Sequence, residues 1–340
     1  MPTLPPAALE SFARRLLEAV GTPEDIAACV AAHLVDANLK GVDSHGVQRL
    51  PDYLAEIARG DIQPAARPSL AKQTSGTAAF DGGRGFGIHA LDQVAGHAIE
   101  LAKTRRIAAV GLTNAAHTGR IGAFAAKIAE AGHFALILGG GAHRVWATVA
   151  PHGGREAVMS TNPYALALPG AEHGPVVVDF ATSAAARGKI AAYQAAGKAI
   201  PEDWVLDRHG QATSDPAALF EGGVQLPMAG HKGTGLGLIA ELLCFAMLPD
   251  TMTGPHDLNW LVLALEISAF RDQQAYAADC RAFLDKLKAI PPAPGFAEVL
   301  IPGEPEAREE ERRREEGIPL PEATWAEIQA TAERVGVAVE

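Results

Sequence analysis

Apolar residues recur at helical spacing over residues 7–20, and Gly21 closes that stretch. Thr22-Pro-Glu-Asp25 has the make-up of a helix start: an N-cap threonine, proline at the first helical position and acids in the first turn. Ile26, Val30, His33, Leu34 and Ala37 share one face of the helix that follows, so the first 60 residues are predicted to be helical. From Thr77 the pattern changes. Residues 77–80 read as a strand, followed by Gly83-Arg-Gly-Phe-Gly87 and a helical pattern to about Arg105. Residues 107–112 and 134–138 are short apolar runs of the buried-strand kind. Between them a helix carries Ile121, Phe124, Ala125 and Ile128 on its apolar side and stops at Gly132. Residues 176–180 predict another strand, leading into a helix that ends near Ala196. Gly230-His-Lys-Gly-Thr-Gly235 predicts a glycine loop feeding an apolar helix over 236–248, and 258–270 is strand-like. Residues 291–305 are rich in proline and glycine, 306–316 read as a charged, solvated helix, and an amphipathic helix runs from about 322 to 335. Strands alternating with helices predict an α/β protein.

With 340 residues, 48% of them hydrophobic, the chain is long enough for a large core and about two domains. A net charge of −11 argues against nucleic acid or an anionic membrane as the main partner, because both require basic patches. Cys29, Cys244 and Cys280 are too far apart for a metal knuckle or a disulfide framework, which fits a reducing, cytoplasmic setting. The first 20 residues interleave acids and arginines with their apolar positions, so a signal peptide is not expected. The apolar run 236–248 is interrupted by Glu241 and is too short to span a bilayer. No metal is expected, since the histidines lack the short-range pairing of a catalytic zinc site.

The stretch from Lys40 to Tyr53 concentrates chemistry: Ser44 beside His45, then Arg49 and Tyr53 at intervals of four. On a helix that spacing would turn His45, Arg49 and Tyr53 to one side, although Pro51 breaks a simple helix unless it opens a new one. An imidazole that titrates near neutral pH, next to a guanidinium that grips carboxylates, suits a small molecule bearing both a carbonyl and a carboxylate. The same spacing is met by an N-cap serine, a surface histidine and a salt-bridged arginine. Gly119 and Arg120 stand where a helix begins, a place that attracts an anion such as a pyrophosphate, with His117 one turn ahead. A capped helix with a surface histidine reads equally well there. Gly83–Gly87 lacks the GxGxxG spacing of an ordinary dinucleotide fingerprint, and Gly230–Gly235 lacks that of a phosphate loop.

Several motifs occur together in order: Ser44-His-Gly with Arg49 and Tyr53, His117-Thr-Gly-Arg120, Ala150-Pro-His-Gly-Gly154 and Thr161-Asn-Pro163. Asp179-Phe-Ala-Thr-Ser183 with Gly188-Lys189, Thr213-Ser-Asp-Pro216, Gly230-His-Lys-Gly233 and Pro302-Gly-Glu304 continue the series. From about residue 8 to 335 the chain resembles the type 2 malate/L-lactate dehydrogenase family, which includes ureidoglycolate and sulfolactate dehydrogenases, diketogulonate reductase and cyclic imino-acid reductases. The resemblance implies an α/β enzyme with a non-Rossmann NAD(P)-binding domain, built on a largely antiparallel sheet, and a helical domain formed by both chain ends. Residues 1–70 would pack with 285–340, and 71–284 would form the cofactor- and substrate-binding part. It further implies a homodimer that uses NAD or NADP to interconvert a small 2-hydroxy acid and its 2-oxo acid. By that resemblance His45 is the proton donor and acceptor, Ser44 orients it, and His117 is a second candidate for the acid–base role. Arg49 would hold the carboxylate, with Tyr53 and Thr161 also at the substrate. His117, Thr118, Gly119, Arg120, Ile121, Asp179, Phe180, Ala181, Arg187, Lys189, His231, Lys232, Gly303 and Glu304 would line the cofactor. Imino-acid-reducing members often carry an aspartate where this chain has Lys189, which favours the hydroxy-acid reading over the cyclic imino-acid one. Gly139-Gly-Gly-Ala-His-Arg144 also departs from the family's usual Thr-Asn pair. A small-molecule binder that has lost catalysis is the other alternative. Arg120, Arg144, Arg155 and Arg187 are the candidate partners of a 2′-phosphate.

Overall fold

The computed structural model describes residues 2–144, 146–249 and 258–339. The chain begins with β1 (Thr3–Leu4), α1 (Pro6–Ala19) and α2 (Glu24–Leu39). Pro23, not Thr22, takes the N-cap position of α2, and the Thr22 hydroxyl is buried without a partner. Two 3-10 turns, Asp43–His45 and Val47–Arg49, lead into α3 (Leu50–Arg59), with Pro51 in its first turn. The proline thus opens a helix, where its locked φ and missing N–H do no harm. His45 and Arg49 consequently lie on separate turns and Tyr53 on the new helix.

The central unit follows with β2 (Ser69–Gln73), β3 (Thr77–Asp81), α4 (Gly87–Arg105), β4 (Ile107–Thr113), α5 (Gly122–Glu130), β5 (His133–Gly140), β6 (Tyr164–Leu168) and β7 (Val176–Phe180). Next come α6 (Arg187–Ala195), β8 (Val205–Leu206), β9 (Val224–Gln225), α7 (His231–Glu241) with a π-helical extension over Leu242–Met247, β10 (Asn259–Glu266) and α8 (Gln273–Lys288). The described chain closes with α9 (Glu304–Glu316), β11 (Ile318–Pro319) and α10 (Glu322–Arg334). Seven strands form one sheet in the order β2-β3-β4-β10-β5-β6-β7, and every pair is antiparallel except β3–β4, which α4 connects. The fold is therefore mixed α/β around a largely antiparallel sheet. Alternation along the middle strand divides the core: Trp260, Val262 and Ala264 face α4 and α5, while Leu261 joins Leu138, Tyr164, Ala240 and Cys244 beneath α7.

The glycine loop expected over 230–235 is instead the first turn of α7. Gly233 has no room for a side chain, because a Cβ would stand 2.3 Å from the Met228 carbonyl, so this glycine serves close packing while Gly230 turns the chain into the helix. The helix expected to be wholly solvated, α9, buries Arg313 to 7% exposure. β1 pairs with β11, and Arg313 reaches back to α2, so the two chain ends meet beside the His45 segment. Among the described residues no helix is long and apolar enough to cross a membrane.

Candidate active site

A cleft of about 1410 Å³ opens between α2, the 3-10 turns, the start of α5, the end of β7 and the first turn of α9. Ser44, His45, Arg49 and His117 all line it, and their placement follows from local packing. Asn38, fully buried at the end of α2, accepts from Val47 N–H through Oδ1 (2.8 Å) and donates to Asp43 from Nδ2 (2.6 Å). Gly46 makes this approach possible, since a Cβ there would lie 2.2 Å from Asn38 Oδ1. Arg313 donates to the Asn38 carbonyl (2.6 Å) and to Asp43 Oδ1 (2.7 Å). The Asp43–His45 turn is thereby held on both sides by buried, charge-assisted bonds.

Ser44 Oγ lies 3.0 Å from His45 Nδ1, and the His45 ring stacks on that of His117 with centroids 5.5 Å apart. Burial, together with the nearby Arg49 and Arg120 guanidinium groups, pushes the His45 pKa down to about 4. Unliganded His45 is therefore neutral at physiological pH and ready to accept a proton. Arg49 pairs with Asp52 at 2.9 Å through Nη1, while its Nε is buried with no partner. An orphaned guanidinium N–H at a cleft wall is costly unless a ligand fills it.

Tyr53 is fully buried behind this group and is not among the residues that line the cleft. Its hydroxyl lies 2.7 Å from His117 Nδ1. The Gly119 N–H also points at that nitrogen (3.4 Å), and a backbone N–H only donates, so Nδ1 is the acceptor and the His117 proton resides on Nε2. His117 is set in place from below by α4: a Cβ at Gly87 would meet the Ala116 carbonyl at 1.9 Å and that of His117 at 2.7 Å.

Thr118, Gly119, Arg120 and Ile121 line the cleft, and two amides at the start of α5 are already bonded within the protein. Arg120 N–H donates to His33 Nε2 (3.0 Å) and Gly122 N–H to Asp179 (2.7 Å). The Arg120 guanidinium is committed to Asp36 at 2.8 Å. Thr161, Asp179, Phe180, Ala181, Arg187 and Gly303 also reach the cleft. Lys189, His231, Lys232 and Glu304 do not. Lys189 lies over the Trp204 ring at 5.0 Å, His231 and Lys232 are exposed on α7, and Glu304 pairs with Lys288 and Arg308.

The cleft also contains residues that sequence reasoning passed over, among them His33, Asp36, Trp146, Trp260 and Glu306. His33 stacks on Phe124 with centroids 4.9 Å apart, and burial followed by Arg120 lowers its pKa to about 3. The available signal was a histidine within the apolar stripe of α2, which predicts a buried acceptor as readily as a core side chain.

This architecture is that of known enzymes. The chain is similar to a malate dehydrogenase structure from Entamoeba histolytica, with a TM-score of 0.94 at 27% identity over 99% of both chains. Hydroxycarboxylate dehydrogenase B of Escherichia coli O157:H7 is 33% identical over 98% of this chain and 94% of its own length. A Delta(1)-pyrroline-2-carboxylate/Delta(1)-piperideine-2-carboxylate reductase of Pseudomonas putida is 31% identical over 96% and 95%. The fold and the relatives define a hydroxy-acid dehydrogenase. Its family is the malate/L-lactate dehydrogenases: the chain belongs to it, the family model matching residues 4–329.

Proposed function

We propose that the protein interconverts a small 2-hydroxy acid and its 2-oxo acid with a nicotinamide cofactor, His45 moving the proton and Arg49 holding the carboxylate. The observation that carries this reading is the orphaned Arg49 Nε in the same cleft wall as the stacked His45–His117 pair. The cofactor supplies or accepts the hydride when bound. In oxidation, neutral His45 takes the hydroxyl proton while Ser44 orients the ring. In reduction it returns that proton, and a substrate carboxylate on Arg49 offsets one of the positive charges that lower its pKa. His117, with its proton on Nε2, donates a hydrogen bond to the carbonyl or to the nicotinamide amide. Thr161 contacts the substrate from the opposite segment.

The residues present fit a dinucleotide: the cleft is large, and Arg49 and Glu306, each with a buried polar atom that has no partner, are among the residues that line it. The hydroxy-acid reading is favoured over cyclic imino-acid reduction because Lys189, stacked on Trp204, brings no carboxylate to Ser44. We also propose a homodimer with a non-Rossmann cofactor-binding part (71–284) beside a helical part from both chain ends (1–70 and 285–340). The apolar outer face of α7, where Leu238, Ile239 and Leu242 are about half exposed, supports the pairing. Cys29, Cys244 and Cys280 are all free thiols, in keeping with a reducing cytoplasm.

NAD(P)H consumption with oxaloacetate, hydroxypyruvate, pyruvate and a cyclic imine carboxylate tests the reading; turnover of the imine alone contradicts it. Arg49→Lys should raise KM for the 2-oxo acid by the equivalent of about 1.5–3 kcal/mol, because an ammonium does not copy the guanidinium fork. An unchanged KM removes the carboxylate role.

A further inference from the structure

Among the described residues, Glu306 is the one carboxylate of the cleft with a buried oxygen, Oε2, that has no donor. It stands in the first turn of α9, whose N-cap Gly303 packs on β7 (3.5 Å from the Cβ position to Val177 N), the strand that brings Asp179 to the same cleft. A helix dipole accounts for an acid at this position, but leaves the buried oxygen without a hydrogen bond. Two neighbouring carboxylates, one with an empty acceptor, match the paired hydroxyl donors of a ribose.

We propose that Glu306, with Asp179 beside it, receives the 2′,3′-diol of the adenosine ribose, so that the cleft takes NADH and turns away NADPH. The proposal rests on the dehydrogenase reading. An acid on the 2′-hydroxyl selects the unphosphorylated cofactor, whereas a 2′-phosphate requires a free cation. Among the described side chains, the cations lining the cleft away from the reacting end are each paired with a carboxylate. Arg120 pairs with Asp36 through Nη2 while its Nε is shut away from solvent, Arg59 pairs with Asp61 at 2.7 Å, Lys40 bridges Asp36 and Glu310, and Lys127 is paired with Asp92 at 2.6 Å. Arg155 does not line the cleft. Arg187 carries no carboxylate among the described contacts but stands at the reacting end, over Phe220, where its neighbour Gly188 approaches Ser44 (3.6 Å from the Cβ position). A 2′-phosphate lies on the ribose far from the nicotinamide, so Arg187 does not meet it.

Trp146 and Trp260 line the cleft, so energy transfer from tryptophan to the reduced nicotinamide reports binding directly, without turnover. The wild-type protein should bind NADH at least about tenfold more tightly than NADPH, and 5′-ADP should displace NADH better than 2′,5′-ADP. Glu306→Gln, nearly isosteric, should narrow the NADH/NADPH ratio to within about threefold by tightening NADPH, with the melting temperature of the free protein unchanged. Equal or tighter NADPH binding by the wild type, equal displacement by the two ADP compounds, or an unchanged ratio in the folded variant overturns the proposal. Binding of neither cofactor overturns it together with the dehydrogenase reading, while NADPH preference overturns it alone. The wild-type comparison stands even if the variant does not fold.

Discussion

At the scale of single residues, the site is governed by what burial does to imidazoles. His33 and His45 have pKa values lowered to about 3 and 4, in each case by burial first and by arginine second. In the unfolded chain both titrate near 6.5. Between those values the unfolded state binds protons that the folded state refuses, so stability is complete above about pH 6.5 and is lost as pH falls toward 4. The melting temperature should decline across that window. His33→Gln, whose amide oxygen still accepts from Arg120 N–H, should flatten the decline. An unchanged slope in that variant would show that His33 is not a source of the acid sensitivity. That Ser44, His45 and Arg49 gather in one short segment was legible from residue type, although they reach the cleft from two 3-10 turns and not from one helix face. The role of Tyr53 was not, because spacing along the chain says nothing of the His117 turn that packs in front of it from residues 64 positions away.

Elements explain why that turn is where it is. Gly83-Arg-Gly-Phe-Gly87 lacks the spacing of a dinucleotide fingerprint, and its last glycine, Gly87, lets the start of α4 lie against the carbonyls of Ala116 and His117. Gly87→Ala should cost about 1–3 kcal/mol of stability through overpacking. It should also lower kcat/KM by up to about a hundredfold by displacing His117. Gly96, on the same helix with nothing within 4 Å of its Cβ position, supplies the control. Gly96→Ala should raise stability by about 0.5–1 kcal/mol with activity intact. Two destabilised, inactive variants, or two neutral ones, would refute this reading of α4. Periodicity located α1, α2, α4, α5 and the strands β3, β4, β5 and β10 because their apolar faces are buried, but it missed the inner strand β6. It passed over the edge strand β2, exposed along its whole length, whose partner supplies the pairing that its own composition does not signal. It also misread residues 231–235, which belong to α7 and where Gly233 marks close packing, and Arg313, which pairs with Asp43 far away in the chain.

On the scale of the whole molecule, helices cover both faces of the sheet, and the outermost layer on one side, α7, remains apolar on its outer face. A face of this kind on an otherwise acidic chain fits a second copy. Ile239→Glu should weaken self-association by on the order of 2 kcal/mol or more, seen by sedimentation as a shift from dimer to monomer. A wild-type protein that sediments as a monomer at every concentration would exclude the pairing. The pieces converge on one cleft, where both chain ends brace the His45 turn, α4 seats His117, and Arg49 presents an unfilled donor. The comparison that tests this most directly is of His45→Gln with His117→Gln, measuring kcat for 2-oxo-acid reduction and NADH affinity in each. The His45 variant should lose about 10²–10⁴-fold in kcat with NADH binding preserved, the usual share of general acid–base catalysis, while the His117 variant should lose mainly ligand affinity. An active His45 variant beside a His117 variant that binds both ligands but does not turn over would reverse the assignment.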